Sequence, residues 1–197
     1  MILIDFTQTV IAGLMAQLKS NDNEINESML RHMILNSLRN YQKRYGPQYG
    51  QIVLCTDASD PWRREFFPLY KANRKKSREA DDKDWKLIFD TLHEVKMEIK
   101  ENFPYKYMYV ENCEADDIIG TLCAQQEDDI YLIISGDKDF IQLQHYGNVY
   151  QFSPLLKSFI GEQLDATVFL REQIIKGDRS DGVPNILSDD DIFCLLY

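Results

Sequence analysis

The sequence has no membrane-length apolar run, no paired-cysteine motif and no clustered histidines, and each absence removes a class of function. No apolar stretch approaches the roughly 18 residues that span a bilayer. The start "MILIDFTQTV" lacks the basic segment and cleavage signal of a secretory peptide. A soluble, cytoplasmic protein is expected. Cys55, Cys113, Cys123 and Cys194 show no C-x-x-C spacing, and His32, His93 and His145 lie far apart. Neither a zinc site nor a disulfide framework is signalled, and no nucleophilic triad can be assembled. The thiols read as small buried hydrophobes of a reducing compartment.

What is present suffices for one globular domain with a sizeable core: 197 residues, 44% of them hydrophobic. A net charge of −10 argues against a nucleic-acid partner, whose phosphates repel a negative surface. The average conceals two opposite concentrations. Arg63, Arg64, Lys71, Arg74, Lys75, Lys76 and Arg78 fall within residues 63–78, while acids gather in short groups elsewhere.

Those acids follow a pattern. "MILID" and "QIVLCTD" are apolar runs that end at Asp5 and Asp57. "YKYMYV" (105–110) leads within a few residues to Glu114, Asp116 and Asp117, and "DIYLIISGDKD" runs into Asp137 and Asp139. Each run reads as a buried strand. Helical patterns separate them, at about 7–19, 26–45, 83–102 and 117–127. Strands alternating with helices predict an α/β fold, with a mostly parallel central sheet and helices on both faces. In such a sheet the C-terminal strand ends share one edge, so the acids converge where ligands bind.

One acid after a strand is an ordinary turn or cap residue. Acids in the first turn of a helix, as in "CEADDIIGTL", are favoured there by the unpaired N–H groups. Four strands ending in acids at one edge call for more, because so many carboxylates repel unless cations neutralise them. A hard divalent ion that prefers oxygen ligands, Mg²⁺ or Mn²⁺, is the simplest solution. Asp178 and Asp181 form a further pair in "GDRSDGVP", whereas "SDDD" (188–191) reads as a solvated run. The segment "DPWRREFFPLYKANRKKSREADDKDW" (60–85) follows directly on Asp57 and interleaves Trp62, Phe66, Phe67 and Tyr70 with basic residues. A charge run is most often a solvated face. Beside an acidic metal site, the same composition suits phosphate gripping and base stacking.

Through "LRHMILNSLR", "IVLCTD", "WRREFFPLYKANR", "CEADDIIG", "ISGDKDFIQL" and "GDRSDGVP", the chain resembles the structure-specific 5′-nuclease family. That family includes flap endonucleases and the nuclease domains of bacterial DNA polymerases, and the likeness is greatest to its T-even phage ribonuclease H type. The resemblance implies a PIN-like or resolvase-like catalytic core over residues 1–176, with a basic helical arch or gateway at about 60–85. It implies two Mg²⁺ ions, with Mn²⁺ able to substitute. Asp5, Asp57, Glu114, Asp116, Asp117 and Asp137 surround the first ion, and Asp139, Asp178 and Asp181 hold the second, directly or through water. Lys71 and Arg74 match the basic pair that engages the scissile phosphate, and Tyr70 is expected to stack on a base. Arg63, Arg64, Lys75, Lys76 and Arg78 complete the nucleic-acid-binding set. The catalytic group is Asp5, Asp57, Lys71, Arg74, Asp117 and Asp137.

The implied activity is metal-dependent 5′-3′ exonucleolytic or flap cleavage of RNA–DNA hybrid, flap or nicked duplex, such as removes RNA primers in phage-type replication. Implied partners are DNA, RNA–DNA hybrid, and a single-strand-binding protein or sliding clamp, for a monomer in the host-cell cytoplasm. Nine of the 32 acids belong to the proposed ligand set; setting them aside takes the net charge from −10 to −1. The acidic balance is therefore largely the active site itself. Where the family continues with a Gly-Ile-Gly-Lys hairpin, this chain reads "NILSDDDIFCLLY". Residues 177–197 are thus expected to be the start of a truncated or divergent duplex-binding region, whose apolar tail could self-associate. Three other readings stay open: a non-catalytic flap-binding module, a phosphoacceptor receiver domain with Asp57 as acceptor, and a PIN-like endoribonuclease.

Overall fold

The computed structural model describes residues 1–20, 26–125, 129–161, 165–178 and 180–187. The "SDDD" run, Cys194 and the apolar tail lie outside the described residues.

Six strands form one sheet: β1 (Ile2–Asp5), β2 (Ile52–Thr56), β3 (Lys106–Tyr109), β4 (Tyr131–Ile134), β5 (Val149–Ser153) and β6 (Ser158–Ile160). Their spatial order is β3-β2-β1-β4-β5-β6. All pairings are parallel except β5 with β6. The chain moves outward from β1 to β3, crosses back to β4 beside β1, then moves outward the other way. The strand order therefore reverses between β1 and β4, which makes the gap beyond their C-terminal ends the switch point of the sheet.

The predicted strands and helices are present, with shifted ends. Helices α1 (Phe6–Ser20), α2 (Glu27–Tyr49) and α5 (Trp85–Asn102) pack on one face, and α6 (Ala115–Gln125) on the other. Alternation along β1 divides its side chains between two cores: Ile2 and Ile4 meet α1, α2 and α5, whereas Leu3 meets α6. All four residues of β1 and of β4 are buried, as central strands covered on both faces require. Asn26 caps α2 and Asp84 caps α5, each accepting a backbone N–H with its side chain.

Between β2 and α5 the basic segment forms two short helices, α3 (Arg63–Phe66) and α4 (Asn73–Glu79). Backbone bonds from Ala58 to Cys113 and from Trp62 to Asn112 tie its start to the loop before α6. After β4 come a 3₁₀ helix (Lys138–Tyr146), β5, β6 and α7 (Ala166–Lys176), none of which the apolar pattern signalled. Asp178 and Val183 then pair as an isolated bridge. Among the described residues no helix is long and apolar enough to cross a membrane.

Candidate metal and nucleic-acid site

Asp5 ends β1 almost fully buried. It accepts bonds from Ser135 Oγ at 3.2 Å and from the Gln8 amide at 3.4 Å. Ser135, the first residue after β4, also receives the Asp137 amide at 3.1 Å. Asp137 in turn opens the 3₁₀ helix by accepting the Asp139 amide at 3.0 Å. Asp5 and Asp137 thus flank the switch point, linked through one buried hydroxyl. Across the sheet, Asp57 Oδ1 accepts the Ala115 amide at 2.9 Å and holds the first turn of α6 against the end of β2.

The start of α6 is the helix terminus that its acids suggested. Asp117 Oδ2 accepts the Glu114 amide at 2.9 Å, the returning half of a capping box. The same three acids are nevertheless divided in purpose. Glu114, 6% exposed, accepts Tyr70 Oη at 2.8 Å and Lys71 Nζ at 2.7 Å, with Arg63 at 3.1 Å. Asp117 takes both guanidinium nitrogens of Arg63, at 2.8 and 2.9 Å. Asp116, one residue earlier and about 100° around the helix, turns toward the Asp5 and Asp137 side and forms no salt bridge among the described residues.

The charges respond accordingly. Burial, then the nearby charges of Asp116 and Asp57, push the Asp5 carboxyl well above its ordinary range. Burial and Asp137, partly opposed by Lys71, bring Asp116 up to about 7. Burial and Asp137 also bring Asp139 up to about 6. Asp117 behaves oppositely: against the burial penalty, Arg63 and the Glu114 amide hold it below its ordinary value. Asp178 is likewise held down, against burial, by the Ser180 hydroxyl and amide.

Asp139, Asp178 and Asp181 line one cavity of about 490 Å³ together with Arg63, Tyr70 and Asp116. The expected second-site acids therefore do adjoin the first. Each has a partner: Gln173 for Asp139, Ser180 for Asp178, and Arg74 at 2.5 Å with Lys71 at 3.7 Å for Asp181. Lys71 takes a left-handed backbone, φ 56°, and its amide donates to the Asp181 carbonyl at 2.9 Å. A non-glycine residue there costs about 1–3 kcal/mol and must be held by its surroundings.

Not every expected contact converges. Tyr70 is buried with its hydroxyl on Glu114, and the Arg63 and Lys71 cations stand 5.9 and 4.8 Å from its ring centre. Arg64 pairs with Asp60 at 3.4 Å, Lys75 with Glu79 at 3.9 Å, and Arg78 stands 5.2 Å over the Phe89 ring; among the described residues none of these, nor exposed Lys76, forms a salt bridge with an expected metal ligand. Sequence reasoning missed Gln8, Ser135 and Gln173, which carry the hydrogen bonds behind the acids. Only the position of Ser135, between a strand and Gly-Asp, hinted at its part.

Among the described residues no three His, Cys, Asp or Glu side chains stand as a ready-made ligand cluster. Several expected ligands are instead turned to amides and cations of the chain. The donor set still suits a hard divalent ion: it is all oxygen, and Asp5, Asp57, Asp116 and Asp137 lie within electrostatic reach of one another with no salt bridge to them among the described residues.

Residues 1–172 match the family described as 5′-3′ exonuclease, N-terminal resolvase-like domain. The ribonuclease H of Enterobacteria phage T4 is 40% identical over 190 residues, covering 93% of this chain and 62% of that protein. A 5′-3′ exonuclease of Mycobacterium tuberculosis is 26% identical over 166 residues, covering 70% of this chain and 50% of that one. The chain thus spans between half and two thirds of these relatives. The fold matches the bacteriophage T5 flap endonuclease solved with DNA and metal ions, with a TM-score of 0.74, 18% identity, and coverage of 95% of this chain and 70% of that one. It also matches the T5 5′-exonuclease with bound zinc, with a TM-score of 0.72, 17% identity, and coverage of 96% and 70%. On the family match over residues 1–172, this chain belongs to the 5′-3′ exonuclease family through its N-terminal, resolvase-like domain.

Proposed function

We propose that the chain is the catalytic part of a divalent-metal-dependent 5′-3′ exonuclease and flap endonuclease of the ribonuclease H type. The observation that carries this reading is the gathering of Asp5, Asp116 and Asp137 at the switch point, beneath a segment that presents Lys71 and Arg74. Relatives named as nucleases and a T5 neighbour solved with DNA support it. The substrates are RNA–DNA hybrid, flap and nicked duplex, as in removal of RNA primers during phage-type replication, with a single-strand-binding protein or sliding clamp as partner.

In this reading Asp5, Asp57, Glu114, Asp116, Asp117 and Asp137 would hold the first Mg²⁺, and Asp139, Asp178 and Asp181 the second, with Mn²⁺ able to substitute. When bound, the ions lower the pKa of water and offset charge on the attacked phosphate. Ser135 and Gln8 fix the Asp5 carboxylate, and the Ala115 amide fixes Asp57, so these ligands are oriented before substrate arrives. Lys71 and Arg74, released from Glu114 and Asp181, carry positive charge to the phosphate as its negative charge grows. The products are a 5′-phosphate and a 3′-hydroxyl. Residues 1–176 form the core, and 177–197 begin a duplex-binding region.

A 5′-labelled panel of RNA–DNA hybrid, flap and single-strand substrates, with Mg²⁺ and with EDTA, tests the reading. Mg²⁺-dependent release of short 5′ products is expected. Absence of metal-dependent cleavage on every substrate would replace the enzyme by a non-catalytic binding module.

A further inference from the structure

Beyond the acidic centre, on the β2–β3 side, lies an open concavity of about 560 Å³ lined by Asp57, His93, Lys96, Lys100, Tyr107 and Tyr109 among others. Its two walls follow from periodicity. His93, Lys96 and Lys100 are spaced i, i+3, i+7 and share one face of α5. Tyr107 and Tyr109 are two apart on the edge strand β3 and share one face of it. Tyr109 is half exposed, and Lys100 Nζ stands 5.7 Å over the Tyr107 ring.

The charge is unusual for a protein of net −10. Among the described residues none of His93, Lys96 and Lys100 forms a salt bridge, while neighbouring acids of the same helix are engaged elsewhere: Asp90 by Lys86, and Glu94 and Glu98 by Arg31. Asp57, whose charge also acts on Asp5 and Asp116, lines the trough as well. Lys96 is half-buried, and burial lowers its pKa while Asp57 raises it. Lysines without a salt bridge among the described residues, beside the half-exposed Tyr109 ring, suit a chain of phosphates alternating with flat bases.

We propose that this trough is a single-strand nucleic-acid subsite, in which Lys96 and Lys100 hold backbone phosphates and Tyr109 stacks a base. It rests on the nuclease reading and extends it: a strand leaving the scissile position runs past Asp57 along α5 and β3, away from the basic segment at 60–85. The trough supplies the exposed aromatic platform that Tyr70, buried on Glu114, does not.

Fluorescence anisotropy of the Asp137→Asn protein, with Mg²⁺, against duplexes carrying a single-stranded thymidine arm of increasing length on either strand, tests this. Affinity rises with arm length on one strand until the arm fills the trough. Lys96→Ala with Lys100→Ala weakens armed-duplex binding about tenfold and reduces the slope of log affinity on log salt by about 1.4. Tyr109→Ala costs about 5- to 20-fold on armed duplex. Lys86→Ala, at an exposed ion pair on the same helix, leaves affinity unchanged. Thermal melts establish that each variant is folded. Unchanged affinity in the trough variants, or an equal loss on blunt and armed duplex, overturns the subsite while leaving the nuclease reading intact. Failure of the wild-type protein to bind or to cleave any probe counts against the nuclease reading itself and removes the subsite with it.

Discussion

Asp116 and Asp117 are neighbours in sequence and opposites in environment, and they mark two regions of one site. On the sheet side, Asp5, Asp116, Asp137 and Asp139 gather without a salt bridge among the described residues, and burial with mutual repulsion raises Asp5, Asp116 and Asp139. On the segment side, Glu114, Asp117 and Asp181 are met by Arg63, Lys71 and Arg74 at 2.5 to 3.1 Å. Among the described residues one region has no salt-bridge partner of its own; the other is paired with cations of the chain. One turn of α6 divides them because successive helical residues point about 100° apart.

The largest effect comes from removing a sheet-side ligand. Asp137→Asn is expected to lower the Mg²⁺-dependent cleavage rate by about 10²–10³-fold or more with the melting temperature near the wild-type value, judged by single-turnover assays. Normal turnover in the folded variant would break the metal side of the comparison. On the segment side, Lys71→Ala should lower the single-turnover rate by about 10²-fold, with a smaller loss of substrate affinity. A change confined to affinity would make Lys71 a docking group only.

Stability separates the regions next. Arg63→Ala leaves Glu114 and Asp117 without their guanidinium, and the partly exposed pair is expected to lose about 1–2 kcal/mol after allowance for solvent screening. For a chain of this length that lowers the melting temperature by about 3–6 °C, read by thermal denaturation. An unchanged melt would mean that water replaces Arg63 at no cost.

The smallest and most discriminating effect is on pH. Asp116 and Asp139 hold protons to about 7 and about 6 in the fold, against an ordinary value of 3.8. Between pH 4 and 7 the unfolded chain releases protons that the folded chain keeps, so their contribution falls as pH rises. Asp117 and Asp178, held low, contribute stability above the ordinary value and lose it as pH falls. In EDTA, Asp116→Asn should therefore gain about 2–4 °C over wild type at pH 7.5 and little at pH 5. Mg²⁺ should stabilise the wild type more at pH 7.5 than at pH 5, because binding releases those protons. A gain independent of pH would show that Asp116 is not held protonated.

Much of the architecture was legible. "MILI", "IVLC" and "YLII" are continuous apolar runs, which central parallel strands need because helices cover both faces. The later strands were not legible for the same reason inverted. "VYQFS" carries Gln151, whose buried amide bonds the carbonyls of Ser135 at 3.0 Å and Asp137 at 2.5 Å, a task no apolar pattern announces. The segment β6 has three residues, and α7 buries only Ala166 among its described residues. Tyr70 looked like a stacking ring because it sits among cations; its burial depends on Glu114, 44 residues away.

By itself the sequence determined that acids end the strands and that bases crowd one segment, since both are local patterns of residue type. Family membership was readable from the same motifs. Only the tertiary structure decided which acids stay unpaired and which are held by Arg63, Lys71 and Arg74. It alone brought α5 and β3 together as a second cationic wall. Pairing depends on distance across crossovers and on the direction each side chain takes from its helix or strand, and charge and spacing along the chain encode neither.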